Sequence, residues 1–250
     1  MMVPLRRSAK KRSGESGQAA VEAALTLPLT IFLILGTLQL FLMLQGRIMA
    51  EYAAFRATRA GSLDHGSCEP MHHAAILALL PSFQSYIGGP GGRPAQKLAA
   101  AFALRKNNRY FMPQDRHTGN IVWLLRDQPL RSAVPAEEDQ LFDQHRLMRL
   151  ETRLVYFFPL KIPGINRIMM RMIMARYGVL PYSGINPLMV SHTTTYRNGS
   201  ISLEGAILNE MRSRYMRGEY VVPIHASGSM RMMTPARSTN FKQQHCSGNL

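Results

Sequence analysis

Gly17-Gln18-Ala19-Ala20-Val21-Glu22, followed by Ala23-Ala24-Leu25-Thr26-Leu27-Pro28-Leu29, is the stretch whose reading decides the fold. A basic leader ends at Gly17, one carboxylate stands at Glu22, and the next charged residue is Arg47. A helix needs about 20 apolar residues to cross a hydrocarbon core of about 30 Å. The charge-free run from Ala23 to Gly46 meets that length. A cleaved secretory signal has an apolar region of only about 7–15 residues with a small-residue site behind it, so this run reads as a retained membrane helix. The leader cations Arg6, Arg7, Lys10, Lys11 and Arg12 then face the cytoplasm, and everything after Arg47 lies outside.

Glu22 is costly inside hydrocarbon, roughly 2.5 kcal/mol or more at mid-bilayer and less near the interface. Its plain reading is a carboxylate resting among headgroups; its functional reading is one half of a processing and assembly signal. Pro28 has no N–H for the carbonyl of Ala24 and is expected to bend or loosen the helix, with Thr26 and Thr30 nearby to serve the freed carbonyl. Past the membrane, Gln45 to Ala60 is rich in helix formers. Arg47 and Glu51 sit one turn apart, Ile48, Tyr52 and Phe55 share a face, and Gly61 offers a stop. The expected product is one helix of about 40 residues, roughly 60 Å long.

The leader charge, Gly17, the offset to Glu22, the apolar length and Pro28 together resemble the TadE family, pilin-like minor subunits of the tight-adherence (Flp-type) pilus systems of bacteria. Leu35-Gly36, Tyr52-Ala53-Ala54 and Arg56 to Gly61 extend the likeness, which covers about residues 13–61. It implies that a prepilin peptidase cuts between Gly17 and Gln18, making Glu22 the fifth residue of the mature chain. A carboxylate about one turn from the new amine neutralises it, in its own chain or a neighbour's, and pairing removes most of the desolvation cost of either charge. Ala23 departs from the Phe that many relatives carry after the acid, and the leader is on the long side. The likeness also implies a pilin-like α+β domain outside the membrane, with other pilin-like subunits, the pilus assembly machinery, the peptidase and membrane lipid as partners. The expected organisation is a leader over 1–17, the helix and its extension over 18–61, and a periplasmic domain over 62–250. The expected place is the bacterial inner membrane, single-pass, with pilus incorporation left open.

Beyond Gly61 the residues themselves read as α+β. Met71 to Leu80 and Ala95 to Arg105 favour short helices, the first ended by Pro81. Ile121 to Leu125 favours a short strand, and Pro129 to Asp139 a loop or internal boundary. Arg149 to Phe158 alternates and then turns fully apolar. Tyr220 to Ala226 with Ser229 to Met233 reads as a strand pair or one interrupted strand, with Pro223 marking an edge or bulge. These segments are expected to pair antiparallel. Ile165 to Tyr177 sets an apolar face against Arg167 and Arg171, suited to packing on the sheet or to an anionic membrane surface. Leu203 to Arg217 reads as an amphipathic helix with Arg212, Arg214 and Arg217 in solvent.

The net charge of +15 suits nucleic acid, anionic lipid or an acidic protein. No zinc-finger spacing, RNP-like strand or Walker-type loop accompanies it, so nucleic acid is not expected as a partner. The glycine cluster Gly88 to Gly92 lacks the Lys and Ser/Thr of a phosphate loop. His65, Cys68, His72 and His73 fit no zinc pattern and read as surface histidines beside half of a disulfide, so no metal is expected. No Gly-x-Ser-x-Gly elbow or carboxylate pair points to catalysis, so neither enzyme activity nor a cofactor is expected. Outside the cytoplasm Cys68 and Cys246 are free to bridge; two unpaired thiols are the alternative. The competing functional class is an unprocessed, signal-anchored envelope protein with a periplasmic binding domain.

Overall fold

The computed structural model of the chain describes residues 15–83, 92–110, 119–135, 148–176 and 203–246. The leader cations, Gly88 to Gly91 and residues 136–139 of the expected loop lie outside them. The chain forms two compact units, Met1–Leu38 and Gln39–Leu250. Its first element is a helix, α1 (Glu15–Leu63). After it come helices α2 (Cys68–Phe83) and α3 (Pro94–Arg105), strand β1 (Val122–Gln128) and a short 3-10 turn (Arg131–Ala133). Strand β2 (Arg149–Pro159), helices α4 (Ile165–Arg176) and α5 (Leu203–Met216), and strand β3 (Val221–Arg231) complete it. The architecture is α+β: one long apolar helix, short helices, and a three-stranded antiparallel sheet.

The sheet order is β1-β2-β3, with Leu124 opposite Leu154 and Leu154 opposite Ala226. Side chains alternate between faces. On one face Leu150, Thr152, Tyr156 and Phe158 meet α1 and α2. Thr152 Oγ1 is 2.6 Å from Thr58 Oγ1, and Tyr156 Oη is 2.8 Å from Ser82 Oγ. On the other face Phe157 meets Trp123 edge-on at 5.0 Å and lies beneath Arg214 of α5 at 4.5 Å. Both faces are covered at the Phe158 end, which explains why the alternation of β2 gives way there to a fully apolar run.

In the second unit α1 packs through its smallest residues. Ala50, Ala53, Ala54 and Ala57 are completely buried. A Cβ added at Gly46 would stand 2.7 Å from Phe158, and one at Gly228 of β3 would stand 2.9 Å from the Ala54 carbonyl oxygen. Such contacts bring the helix backbone close to the strands, and any larger side chain on either surface forces them apart.

Several boundaries differ from the sequence expectation for physical reasons. Gly61 does not stop α1; it lets Met71 and Leu150 approach, a Cβ there standing 2.6 Å from Met71 Sδ. The helix ends two residues later, where His65 adopts φ +52° and the Gly66 N–H bonds the Gly61 carbonyl at 2.8 Å. α2 starts at Cys68, earlier than expected, and carries Pro81 in its last turn, where the lost N–H interrupts little that follows. β3 is one unbroken strand of 11 residues, and Pro223 sits in it at the sheet's edge. Arg214 is not solvated. It is fully buried, because Glu210 one turn earlier pairs with its Nε at 2.7 Å and the Asn120 carbonyl accepts from Nη2 at 2.7 Å.

Ala54→Leu is expected to destabilise the second unit by roughly 1–3 kcal/mol through overpacking, whereas Tyr52→Leu on the outward face is expected to be nearly neutral. Thermal melts of the detergent-solubilised full chain check both.

Candidate functional site

The proposed processing segment lies in the first unit. A Cβ at Gly17 would meet nothing within 4 Å, so its surroundings are open. The backbone of Gln18 is part of α1, and its side chain falls outside the described residues. Glu22 is exposed, four residues and about 6 Å of helical rise further on. Its carbonyl accepts from the Thr26 hydroxyl at 2.9 Å. The helix continues through Pro28. The nearby hydroxyls do not serve the Ala24 carbonyl as expected: Thr26 bonds Glu22 and Ala23, and Thr30 bonds Leu27 at 2.9 Å. Threonine reaches carbonyls three or four residues back, and neither position stands at that offset from Ala24. Val21, Leu25, Leu27, Leu29 and Leu33 are all exposed. Among the described residues this is the one helix long and apolar enough to cross a membrane, with a mean hydropathy of 2.2 over its most apolar window.

In the second unit α1 turns a different surface outward. Ile48, Tyr52 and Phe55 are 60, 47 and 48% exposed while the alanines behind them are sealed. The usual arrangement, large apolar residues inward, is reversed. Arg47 pairs with Glu51 at 3.2 Å and Arg56 reaches the Tyr52 hydroxyl at 3.0 Å, so polar groups flank the apolar stripe. An apolar stripe left in solvent on a helix whose other face is packed is the kind of surface that a protein or membrane contact covers.

Residues 17–59 match the family model described as TadE-like protein. This segment is TadE-like. The match begins at Gly17 and ends within α1, so it is carried by a single helix that includes both the apolar run and the outward stripe. No curated protein matches the chain. No solved structure does either. The TadE-like segment supports a pilus-associated, pilin-like role in general terms.

Cys68 and Cys246 form a disulfide across a sequence separation of 178. It fastens the C-terminal stretch to the start of α2, beside the turn that follows the TadE-like helix. The stretch also adds to the sheet: Arg126 N–H bonds the Gln244 carbonyl at 2.8 Å, and Cys246 N–H bonds that of Leu124 at 3.0 Å. Arg126, missed in the sequence, is buried at the centre of this clasp. It donates to the Gly66 carbonyl at 2.6 Å and to that of Gln243, and lies over the Phe241 ring at 4.4 Å. Burial lowers its pKa to about 10, which leaves it charged at neutral pH. His65 joins the clasp through its backbone N–H to Thr234 Oγ1 at 2.9 Å and its Nδ1 beside the Pro235 carbonyl at 2.7 Å.

A polar cavity of about 320 Å³ opens between the first turn of α2 and the end of α3, lined by Glu69, His72, His73, Lys106 and Arg109 among others. Cys68 also lines it, and its sulfur is committed to the disulfide. His72 is not the surface histidine expected from its neighbours. The helix turns it inward, and burial, helped by the charge of His73, lowers its pKa to about 4. His73 instead stacks edge-on against Phe102 at 5.6 Å. The described residues hold no group of three or more His, Cys, Asp or Glu arranged for a metal ion.

A histidine kept neutral in the folded state binds its proton only on unfolding. Its contribution is therefore intact above pH 6.5 and is lost as the pH falls toward about 4. The folded chain is expected to lose about 3 kcal/mol at most across that window. His72→Gln should flatten the dependence, with a residual slope from His225, whose pKa is also lowered by burial. Denaturant titrations of the solubilised chain at stepped pH check this.

Proposed function

We propose that this chain is a TadE-like minor subunit for assembly of a Flp-type pilus, cut between Gly17 and Gln18 by a prepilin peptidase. Its role is structural, with no catalytic step of its own. The outward stripe of Ile48, Tyr52 and Phe55 carries the reading, because it gives the helix a face for the helices of other pilin-like subunits. Two further features support it. Gly17 stands at an open, exposed position with no side chain to hinder a protease. Glu22 is exposed about one turn from the amine that cleavage would create, where it can neutralise that charge on its own or a neighbouring chain.

In this reading the basic leader stays cytoplasmic, α1 crosses the inner membrane once, and the sheet-bearing unit is periplasmic. The disulfide suits an oxidising compartment. Partners are the peptidase, other pilin-like subunits and the assembly machinery; nucleic acid is not among them. The competing reading, an unprocessed signal anchor with a periplasmic binding domain, differs at one bond.

N-terminal sequencing of the protein extracted from membranes of a host with the peptidase is expected to begin at Gln18. A chain still beginning at Met1 or Met2 selects the signal-anchor reading. Glu22→Ala is expected to insert normally and to fail in pilus assembly, measured by filament counts; full assembly would leave Glu22 as an interfacial carboxylate.

A further inference from the structure

The two ends of the Cys68–Cys246 bridge have unlike surroundings. Cys246 is completely buried and belongs to the hydrophobic core with Leu124 and Phe241. Its backbone N–H on the Leu124 carbonyl at 3.0 Å, and the pairing of His245 with Leu125, fix it along β1 without help from the bridge. Cys68 is only half-buried, and it lines the polar cavity of about 320 Å³ between α2 and the end of α3. One end of the bridge can therefore be reached from solvent, and the other cannot.

The cavity wall is unevenly charged. Lys106 and Arg109 are exposed on it, and Glu69 is the one acid among the described residues that line it. The turn that carries the two cations is held in place. Between them Asn108 takes φ +59°, and its side chain bonds Val122 of β1 in both directions. Its Nδ2 donates to the Val122 carbonyl at 2.6 Å, and its Oδ1 accepts from the Val122 N–H at 3.0 Å. The strand that seats Cys246 thus also seats the cationic wall opposite Cys68. Disulfide exchange begins with a thiolate, an anion, on one sulfur of the bridge. Two cations at the entrance favour its approach, whereas reaching Cys246 means stripping water from that anion inside the core.

We propose that Cys68 is the exchange sulfur of this bridge and that the cavity is its entrance for anionic thiols and disulfides. An external thiolate attacks Cys68 Sγ, the bond to Cys246 breaks, and Cys246 leaves as a thiolate. The proton that the external thiol gave up goes to Cys246, so one disulfide replaces another. Resolution runs the other way: Cys246 loses that proton, attacks Cys68 Sγ and expels the external thiolate. Closing the bridge with an external disulfide passes through the same intermediate. The Cys68 thiolate breaks that disulfide and expels its first thiolate, and Cys246 then expels the second. Two cysteine thiols are oxidised and one disulfide is reduced to two thiols. Because the β1 contacts keep Cys246 opposite Cys68, the mixed disulfide is short-lived while both cysteines are present. The proposal is independent of cleavage at Gly17 and of pilus assembly.

The test uses the full detergent-solubilised chain at fixed pH and low ionic strength. Cys246→Ser and Cys68→Ser each leave one thiol, which is reacted with dithiobis-nitrobenzoate, a dianionic disulfide, and with dithiodipyridine, a neutral one. Cys68 is expected to react about tenfold or more faster than Cys246, with the difference gone in denaturant. Adding Lys106→Glu and Arg109→Glu to Cys246→Ser is expected to lower the ratio of the dianionic to the neutral rate about threefold. A third measurement needs no substitution. The native chain is exposed briefly to mercaptoethanesulfonate, an anionic thiol, quenched in acid and mapped by mass, so it answers even where a single-cysteine variant fails to fold. The adduct is expected on Cys68. An adduct on Cys246, or equal reactivity of the two cysteines in the folded chain, overturns the assignment of the exchange sulfur. A rate ratio unmoved by charge reversal overturns the cavity as its entrance.

Discussion

The close approach of α1 to the sheet is the contact on which the rest of the second unit depends. Four alanines and two glycines on one side of the helix, with Gly228 on β3, let backbone meet backbone, and the paired hydroxyls of Thr58 and Thr152 fix the register. Small residues bury little apolar area each, so this interface gains its stability from packing density and from the layers behind it. Those layers are substantial: α2 lies along the same face through Ser82 and Tyr156, while Trp123, Phe157 and α5 close the other.

The small-residue face has a consequence for the opposite side of the helix. Since the alanines are spent on the sheet, Ile48, Tyr52 and Phe55 face outward. In a self-sufficient soluble domain such an arrangement wastes apolar area. In the pilin-like role proposed above, it is the face that neighbouring helices would cover.

The sheet is closed off at one side by the C-terminal clasp. Arg126 is a buried cation held by two carbonyls and an aromatic face, and leaving any of these unmade would strand it. The disulfide reinforces the same junction, so the turn after α1, the start of α2 and the chain's last described residues behave as one knot. β3 at the other side carries Pro223, which removes one donor from the edge and discourages a further strand.

What the sequence determined by itself was whatever has a local cause. Glu22 before a charge-free run, helical spacing through Phe55, and alternation in Arg149 to Leu154 each record one element's own periodicity. They marked the long helix, most of the strands and the TadE-like segment within a few residues. Tertiary structure decided what depends on the second partner. Nothing near Gly61 in sequence announces that Met71 and Leu150 occupy the space its missing side chain leaves. His72 and His73 are neighbours of one kind, and only the rotation of α2 separates a buried ring from a half-buried one. Arg214 looked solvated until Glu210, Asn120 and Phe157 converged on it, and Gln39 looked like one amide in an apolar run until the Ile162 N–H was seen to bond its side chain. A polar side chain's fate is set by whether the fold supplies its partners, and that is a property of distant segments brought together, not of the residue's own surroundings in the chain.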